Sequence, residues 1–100
     1  MNKSQLLQAF KPELKEIDVQ GTKVEIQSLS LEGRGKVLKA FESNATEAQA
    51  VSVAFGCPAF TEADLDDIKG LPGSVVQEIS DAILKESGMV AEDDSEEKKD

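Results

Sequence analysis

Apolar and polar residues alternate most clearly between residues 13 and 29. Ile17 and Val19 alternate with charged residues before Gly21, and Val24 and Ile26 do so after it. A two-residue turn that ends at Gly21 would place all four apolar side chains on one face of a β-hairpin. The alternation therefore predicts an antiparallel hairpin near the N-terminus with one buried face.

Helical spacing replaces this alternation on both sides of the hairpin. A short helix is predicted to begin at Ser4, as its N-cap, and to end at Phe10 before Pro12. After the hairpin, Ser30 is predicted to cap a longer helix. Its predicted apolar face consists of Leu31, Val37, Leu38 and Phe41.

Arg34 projects into the middle of this predicted apolar face. Two interpretations remain open: the side chain snorkels to solvent, or it is half-buried and paired with a carboxylate. Gly33 and Gly35 lie beside it, and each costs about 1 kcal/mol relative to alanine in a helix interior. We therefore expect the first turns of this helix to be weak.

The next segment predicts a helix that is apolar around more than half of its circumference. Thr46 is its expected N-cap, with Gln49 in the capping-box position, and Gly56 is its expected end. Such a helix either lies centrally in the fold or has one side that meets another chain. Ala50 and Val53 belong to this wide apolar surface.

Four carboxylates crowd the segment from residues 59 to 70, "AFTEADLDDIKG". Counted from Asp64, an EF-hand would need glycine and glutamate at positions occupied by lysine and valine, so the calcium-loop template fails. A helix start fits instead, with Thr61 as the N-cap, Asp64 as the reciprocal acid and Gly70 as the end. We therefore predict no metal site here.

The last predicted helix begins through Pro72 or is capped by Ser74, and it ends at Gly88. Leu84 falls on its polar side by helical spacing, where a single exposed leucine is ordinary. The final ten residues carry six acids and two lysines with no apolar residue beyond Ala91. We expect residues 1–90 to form the domain and residues 91–100 to be a disordered acidic tail.

The amino-acid composition argues against several classes of function. The net charge is -9 from 20 acidic and 11 basic residues, which disfavours binding to nucleic acid and to anionic membranes. Without histidine, the commonest general base and the imidazole metal ligands are absent. The single cysteine, Cys57, is interpreted as a small buried hydrophobe rather than a reactive thiol. We expect no enzyme, no cofactor and no signal peptide, hence a soluble cytoplasmic protein.

The order of these elements resembles the tail assembly chaperones of long-tailed bacteriophages. The resemblance covers about residues 13–90 and is carried by caps and apolar spacing. The matching residues are Phe60, Thr61, Asp64, Leu71, Pro72, Ile79, Ile83, Ser87 and Gly88. Gly33 and Gly35 depart from the family's pattern.

The resemblance implies a small α+β fold, an N-terminal hairpin on about four helices, and a non-enzymatic role. It implies that the chain binds the tape measure protein in the host cytoplasm, keeps it soluble, and is absent from the mature virion. It also implies self-association and contact with the tail tube protein through a frameshifted longer form. For the partner surface we expect Val53 and Leu84 foremost, with Ala50 and Arg34.

Two other functions remain open. An acidic inhibitor that mimics DNA would need its acids spaced along one face, whereas here they serve caps and a tail. A small structural connector within a virion is the third interpretation. The position of the gene separates them, because a chaperone gene should precede a very long helical open reading frame.

Deletion of residues 91–100 should leave the melting temperature nearly unchanged, because a charged segment without apolar residues contributes little packing. Thermal denaturation followed by circular dichroism measures the effect. A decrease of several degrees would mean that the segment packs on the domain and that its boundary lies elsewhere.

Overall fold

Five α-helices and one β-hairpin make up residues 1–89, the part of the chain that the computed structural model describes. In chain order the elements are α1 (Lys3–Ala9), β1 (Lys15–Val19), β2 (Thr22–Ile26), α2 (Leu31–Ser43), α3 (Ala45–Gly56), α4 (Leu65–Lys69) and α5 (Gly73–Glu86), with a 3-10 turn (Glu62–Asp64) before α4. The predicted α+β class with an N-terminal hairpin is confirmed. The predicted acidic tail lies outside the described residues.

The hairpin forms in the predicted register. Ile17 lies opposite Val24, and the two turn residues have positive φ angles, 52° at Gln20 and 90° at Gly21. Positive φ at both central residues is typical of a type I′ turn, whose twist matches that of the two strands. Ile26, on the inner face, is only 1% exposed, so the predicted buried face is confirmed.

Two sets of hydrogen bonds fasten the hairpin to α5. The Nε2 amide of Gln20 donates to Ser74 Oγ at 3.1 Å and to Glu78 Oε1 at 2.9 Å. After β2, the Leu29 N–H donates to Ser87 Oγ at 2.8 Å. The turn is therefore held at the first half of α5, and the chain leaving β2 is held at its end.

Helix α3 lies at the centre of the fold, which decides between the two interpretations of its wide apolar surface. It contacts α2 on one side and α5 on another, with further contacts to α4. Its buried residues are Ala48, Ala50, Val51, Ser52, Val53, Ala54 and Gly56. Burial on several sides requires apolar or small residues around most of the helix.

Two helix caps differ from their predicted positions. Asn2 caps α1 rather than Ser4, because its side chain and that of Gln5 each accept a hydrogen bond from the other's backbone N–H. Asn44 caps α3 rather than Thr46, accepting a backbone N–H of the first turn at 2.7 Å. In both cases an asparagine two residues earlier has the side-chain oxygen that a cap requires.

The end of α5 confirms the prediction made for Gly88, whose φ is 71°. The Met89 N–H donates to the Leu84 carbonyl at 2.8 Å, and the Gly88 N–H donates to the Lys85 carbonyl at 3.1 Å. This pair of bonds is the Schellman motif, which satisfies carbonyls that have no partner within the helix. At the other end, Pro72 is the N-cap of α5, which agrees with the predicted start through Pro72 rather than with a cap at Ser74.

Glycines on α2 and α3 allow their backbones to lie close to neighbouring side chains. A methyl group on Gly33 would lie 3.2 Å from Phe55 Cβ. One on Gly56 would lie 2.9 Å from Ile83 Cγ1 and closer still to two other carbons of that side chain. Interiors are packed too densely to accept the second methyl group without a shift of α5.

We predict that Gly56→Ala destabilises the protein by about 1 to 3 kcal/mol, the usual cost of overpacking a core. Gly35→Ala is the matched control, because a methyl group there meets nothing within 4 Å. It should raise stability by up to about 1 kcal/mol through helix propensity. Urea unfolding measures both changes, and equal effects would contradict the packing argument.

Candidate functional site

Helix α2 turns a different face to the core from the one predicted. Its buried residues are Gly33, Val37 and Ala40, all of which pack toward α3. Of the four residues predicted to form its buried face, Val37 alone is buried. The other three are Leu31, Leu38 and Phe41, with exposed fractions of 88%, 57% and 47%. The predicted face is therefore wrong.

The three exposed residues and Arg34 form one continuous row along α2, which we call the α2 stripe. Residues three and four positions apart are neighbours on a helix surface, and Leu31, Arg34, Leu38 and Phe41 follow that spacing. Arg34 is exposed, and none of the ion pairs among the described residues includes it. The interpretation of a half-buried, paired arginine is therefore wrong.

The N-terminal segment carries a second set of exposed apolar side chains. We call residues 1–14 the N-terminal arm. No residue of α1 is buried, and α1 has no extensive contact with another helix or strand of the described chain. Its exposed residues include Met1 (85%), Leu7 (64%), Phe10 (78%), Leu14 (55%) and Leu6 (48%). An unpartnered apolar surface of this kind typically marks a contact with another molecule.

Three of the four residues expected on a partner surface lie in the core instead. Val53 is 0% exposed and Ala50 is 2% exposed, because α3 is enclosed by its neighbours. Leu84 is 7% exposed, so its expected place on the polar side of α5 is also wrong. Only Arg34 remains on the surface, within the α2 stripe.

The burial of Leu84 follows from Ser80. Ser80 and Ile83 are fully buried, and Val76 on the same face of α5 is 7% exposed. A serine counts as polar on a hydropathy scale, so the sequence pattern does not assign Ser80 to the buried face. The predicted buried face of α5 therefore excludes the neighbouring Leu84. Sequence reasoning missed the α2 stripe for the related reason that small residues, Gly33 and Ala40, occupy its core-facing side.

The acidic segment of residues 59–70 serves the helix start that was predicted. The Thr61 N–H donates to Asp64 Oδ2 at 2.8 Å, which is the reciprocal half of a capping box. Glu62 Oε2 lies 3.5 Å from Lys36 Nζ. Phe60 and Leu65 pack against the core from either side of this start, as a hydrophobic staple does.

Cys57 lines a cleft of about 710 Å³ between the hairpin and the chain after α3. The residue is 3% exposed, which confirms the interpretation of a small buried side chain. Burial raises the pKa of the Cys57 thiol above its ordinary value of 9.0, and the charge of Glu25 acts in the same direction. A hydrogen bond from the Ala59 backbone opposes this only in part. The thiol is therefore neutral at pH 7.

Metal-binding and membrane-spanning features can be assessed within residues 1–89. There, no group of three or more cysteine or acidic side chains is placed to hold a metal ion. No helix of the same range is long and apolar enough to cross a bilayer. The large exposed apolar side chains of the α2 stripe and the N-terminal arm make these two surfaces the candidate functional ones.

The Cys57 thiol should make the protein less stable as the pH rises through the alkaline range. Its folded pKa is raised, so its contribution is complete below the unfolded pKa and is lost as the pH approaches the folded value. Urea unfolding between about pH 8 and 10 should therefore show a steeper loss of stability in the wild type than in Cys57→Ala. Equal slopes in the two proteins would contradict the raised pKa.

Comparisons with known proteins do not identify a family for this chain. No protein family model, curated protein or solved structure matches the chain. A proposal about function therefore depends on the exposed surfaces described above and on the pattern of residues in the sequence.

Proposed function

We propose that this protein is a non-enzymatic chaperone that binds an apolar helical segment of a long partner and keeps that partner soluble. The observation that carries the proposal is the α2 stripe, on which Leu31 is 88% exposed and Leu38 57% exposed. A single exposed leucine would need no explanation, but a row of three large apolar residues on one helix does.

The proposed client is the tape measure protein of a long-tailed phage. Support comes from the resemblance of residues 13–90 to tail assembly chaperones, with the capping residues Thr61 and Asp64 among its matches. The proposed place of action is the host cytoplasm, before the virion is complete. A longer frameshifted product that contacts the tail tube protein belongs to the same proposal.

The dimensions of the α2 stripe suit a helical client. From Leu31 to Phe41 the stripe extends about 15 Å along the helix, or nearly three turns. An amphipathic helix can lay its own apolar residues along such a row, with contacts every three to four positions. Arg34 lies within the row, where it can donate hydrogen bonds to a carboxylate on the client helix.

The charge of the protein suits the second half of the task, which is to keep the complex soluble. A net charge of -9 on 100 residues opposes association between complexes once the apolar surfaces are covered. Glu32 and Glu42 are the two acids of α2, and neither belongs to the α2 stripe. The acids of α2 thus lie beside the apolar row rather than in it.

Replacement of residues in the stripe should abolish the chaperone effect without unfolding the domain. We expect Leu38→Asp, combined with Phe41→Asp, to reduce the soluble fraction of a co-expressed client by about tenfold or more, since central apolar contacts dominate binding. The client for this test is the product of the very long helical open reading frame that the proposal expects downstream of the gene. Soluble and pelleted client are compared by gel, and co-purification is scored with a tag on the chaperone.

A matched control carries the same added charge elsewhere. Thr46→Asp with Gln77→Asp changes two exposed residues of α3 and α5 and should leave client solubility unchanged. Val53 cannot serve, because a buried charge there would unfold the domain. If the client is equally insoluble with and without the wild-type protein and nothing co-purifies, the chaperone proposal is wrong. The acidic-inhibitor function then becomes the one to test.

A further inference from the structure

We infer that two copies of this chain associate by placing the N-terminal arm of each on the α2 stripe of the other. The inference concerns the protein without its client and does not depend on the identity of that client. Its starting point is that the arm and the stripe are both exposed and both apolar.

The exposed large apolar residues are concentrated in these two places. Eight such residues occur in the described chain, five in the arm and three in the stripe. At on the order of 100 Å² each, they present roughly 800 to 1,000 Å², about what one partner contributes to a stable interface. Contact between copies would therefore remove from water an area large enough for a specific dimer.

The arm is built to reach another molecule. Helix α1 is only seven residues long, buries nothing on its own domain, and is joined to β1 by residues 10–14. Five extended residues reach about 17 Å, and Pro12 prevents α1 from continuing into this linker. A helix this short is marginal alone, so it gains most from an apolar surface to pack against.

The apolar side chains of the arm share one face. Leu6, Leu7 and Phe10 follow helical spacing and lie on one face of the arm, whereas Met1 precedes α1. From Leu6 to Phe10 this face extends about 6 Å along the helix axis, so it can cover part of the 15 Å α2 stripe. In the described structure the arm does not cover the stripe of its own chain, since Leu31 remains 88% exposed.

The charge of the part of the chain that holds both surfaces opposes association less than the charge of the rest does. Residues 1–40 contain seven of the eleven basic residues and only five of the twenty acids. Two molecules of net charge -9 repel each other least when they meet through this part of the chain. Reciprocal exchange of arms also closes the contact at two copies, as a two-fold dimer requires.

Sedimentation velocity over a concentration series tests the inference with the protein alone. The wild type should convert from monomer to dimer as concentration rises. An arm variant, Leu7→Glu with Phe10→Glu, and a stripe variant, Leu31→Glu with Leu38→Glu, should each weaken dimerisation by at least about tenfold. Thr46→Glu with Gln77→Glu adds the same charge at exposed positions outside both surfaces and should dimerise like the wild type.

Mixing the two variants identifies which surfaces meet. The arm variant keeps an intact stripe and the stripe variant keeps an intact arm, so their mixture should form a heterodimer with one intact contact. If stripe met stripe, the arm variant would dimerise normally by itself. That result, or a mixture that stays monomeric, would overturn the inference.

Two further outcomes are decisive. A wild type that is monomeric at every concentration would show that the arm returns to its own stripe or stays free, and would also overturn the inference. Circular dichroism melts check that each variant is folded, and the milder Leu7→Ser and Leu38→Ser replace any variant that is not. Failure of client solubilisation would leave the dimer result standing, because no client is present in this experiment.

Discussion

The close approach of neighbouring backbones and side chains around α3 is the constraint on which the rest of the fold depends. Gly56 lets Ile83 of α5 lie directly against α3, and Gly33 lets α2 lie against Phe55. The sides of α3 that face α2 and α5 are therefore not available to another molecule. The same packing turns the small residues of α2 inward and leaves its larger ones outside, so the exposed stripe is a consequence of how the core is assembled.

Much of the fold could be predicted because its signals are local. The hairpin follows from strict alternation and a two-residue turn, and the end of α5 follows from Gly88. The faces of α2 and α5 could not be predicted, since hydropathy ranks large apolar residues first whereas close packing selects small ones. Gly33 and Ser80 are buried because of their size, and an averaged apolar pattern does not record size.

The candidate surface was harder to predict than the fold. Of the expected partner residues, Arg34 alone is exposed, and it was singled out because it interrupts an apolar row. That row was interpreted as core, although an arginine in its middle is as compatible with a row that faces solvent. Burial of Val53 depends on neighbours far along the chain, which no local pattern contains. The sequence thus predicted which helix holds each residue, but not which face of that helix is buried.

The bonds between the hairpin and α5 also bear on how the chain folds as it is synthesised. Gln20 is separated by 54 residues from Ser74 and by 58 from Glu78, while Lys15 pairs with Glu86 across 71 residues. An isolated two-stranded hairpin is only marginally stable. At about 5 to 20 residues per second, the ribosome needs roughly 3 to 14 seconds to make the residues in between. For that interval the inner face of the hairpin has no α5 to cover it. The hairpin, made early in synthesis, is therefore completed only when the last helix is made.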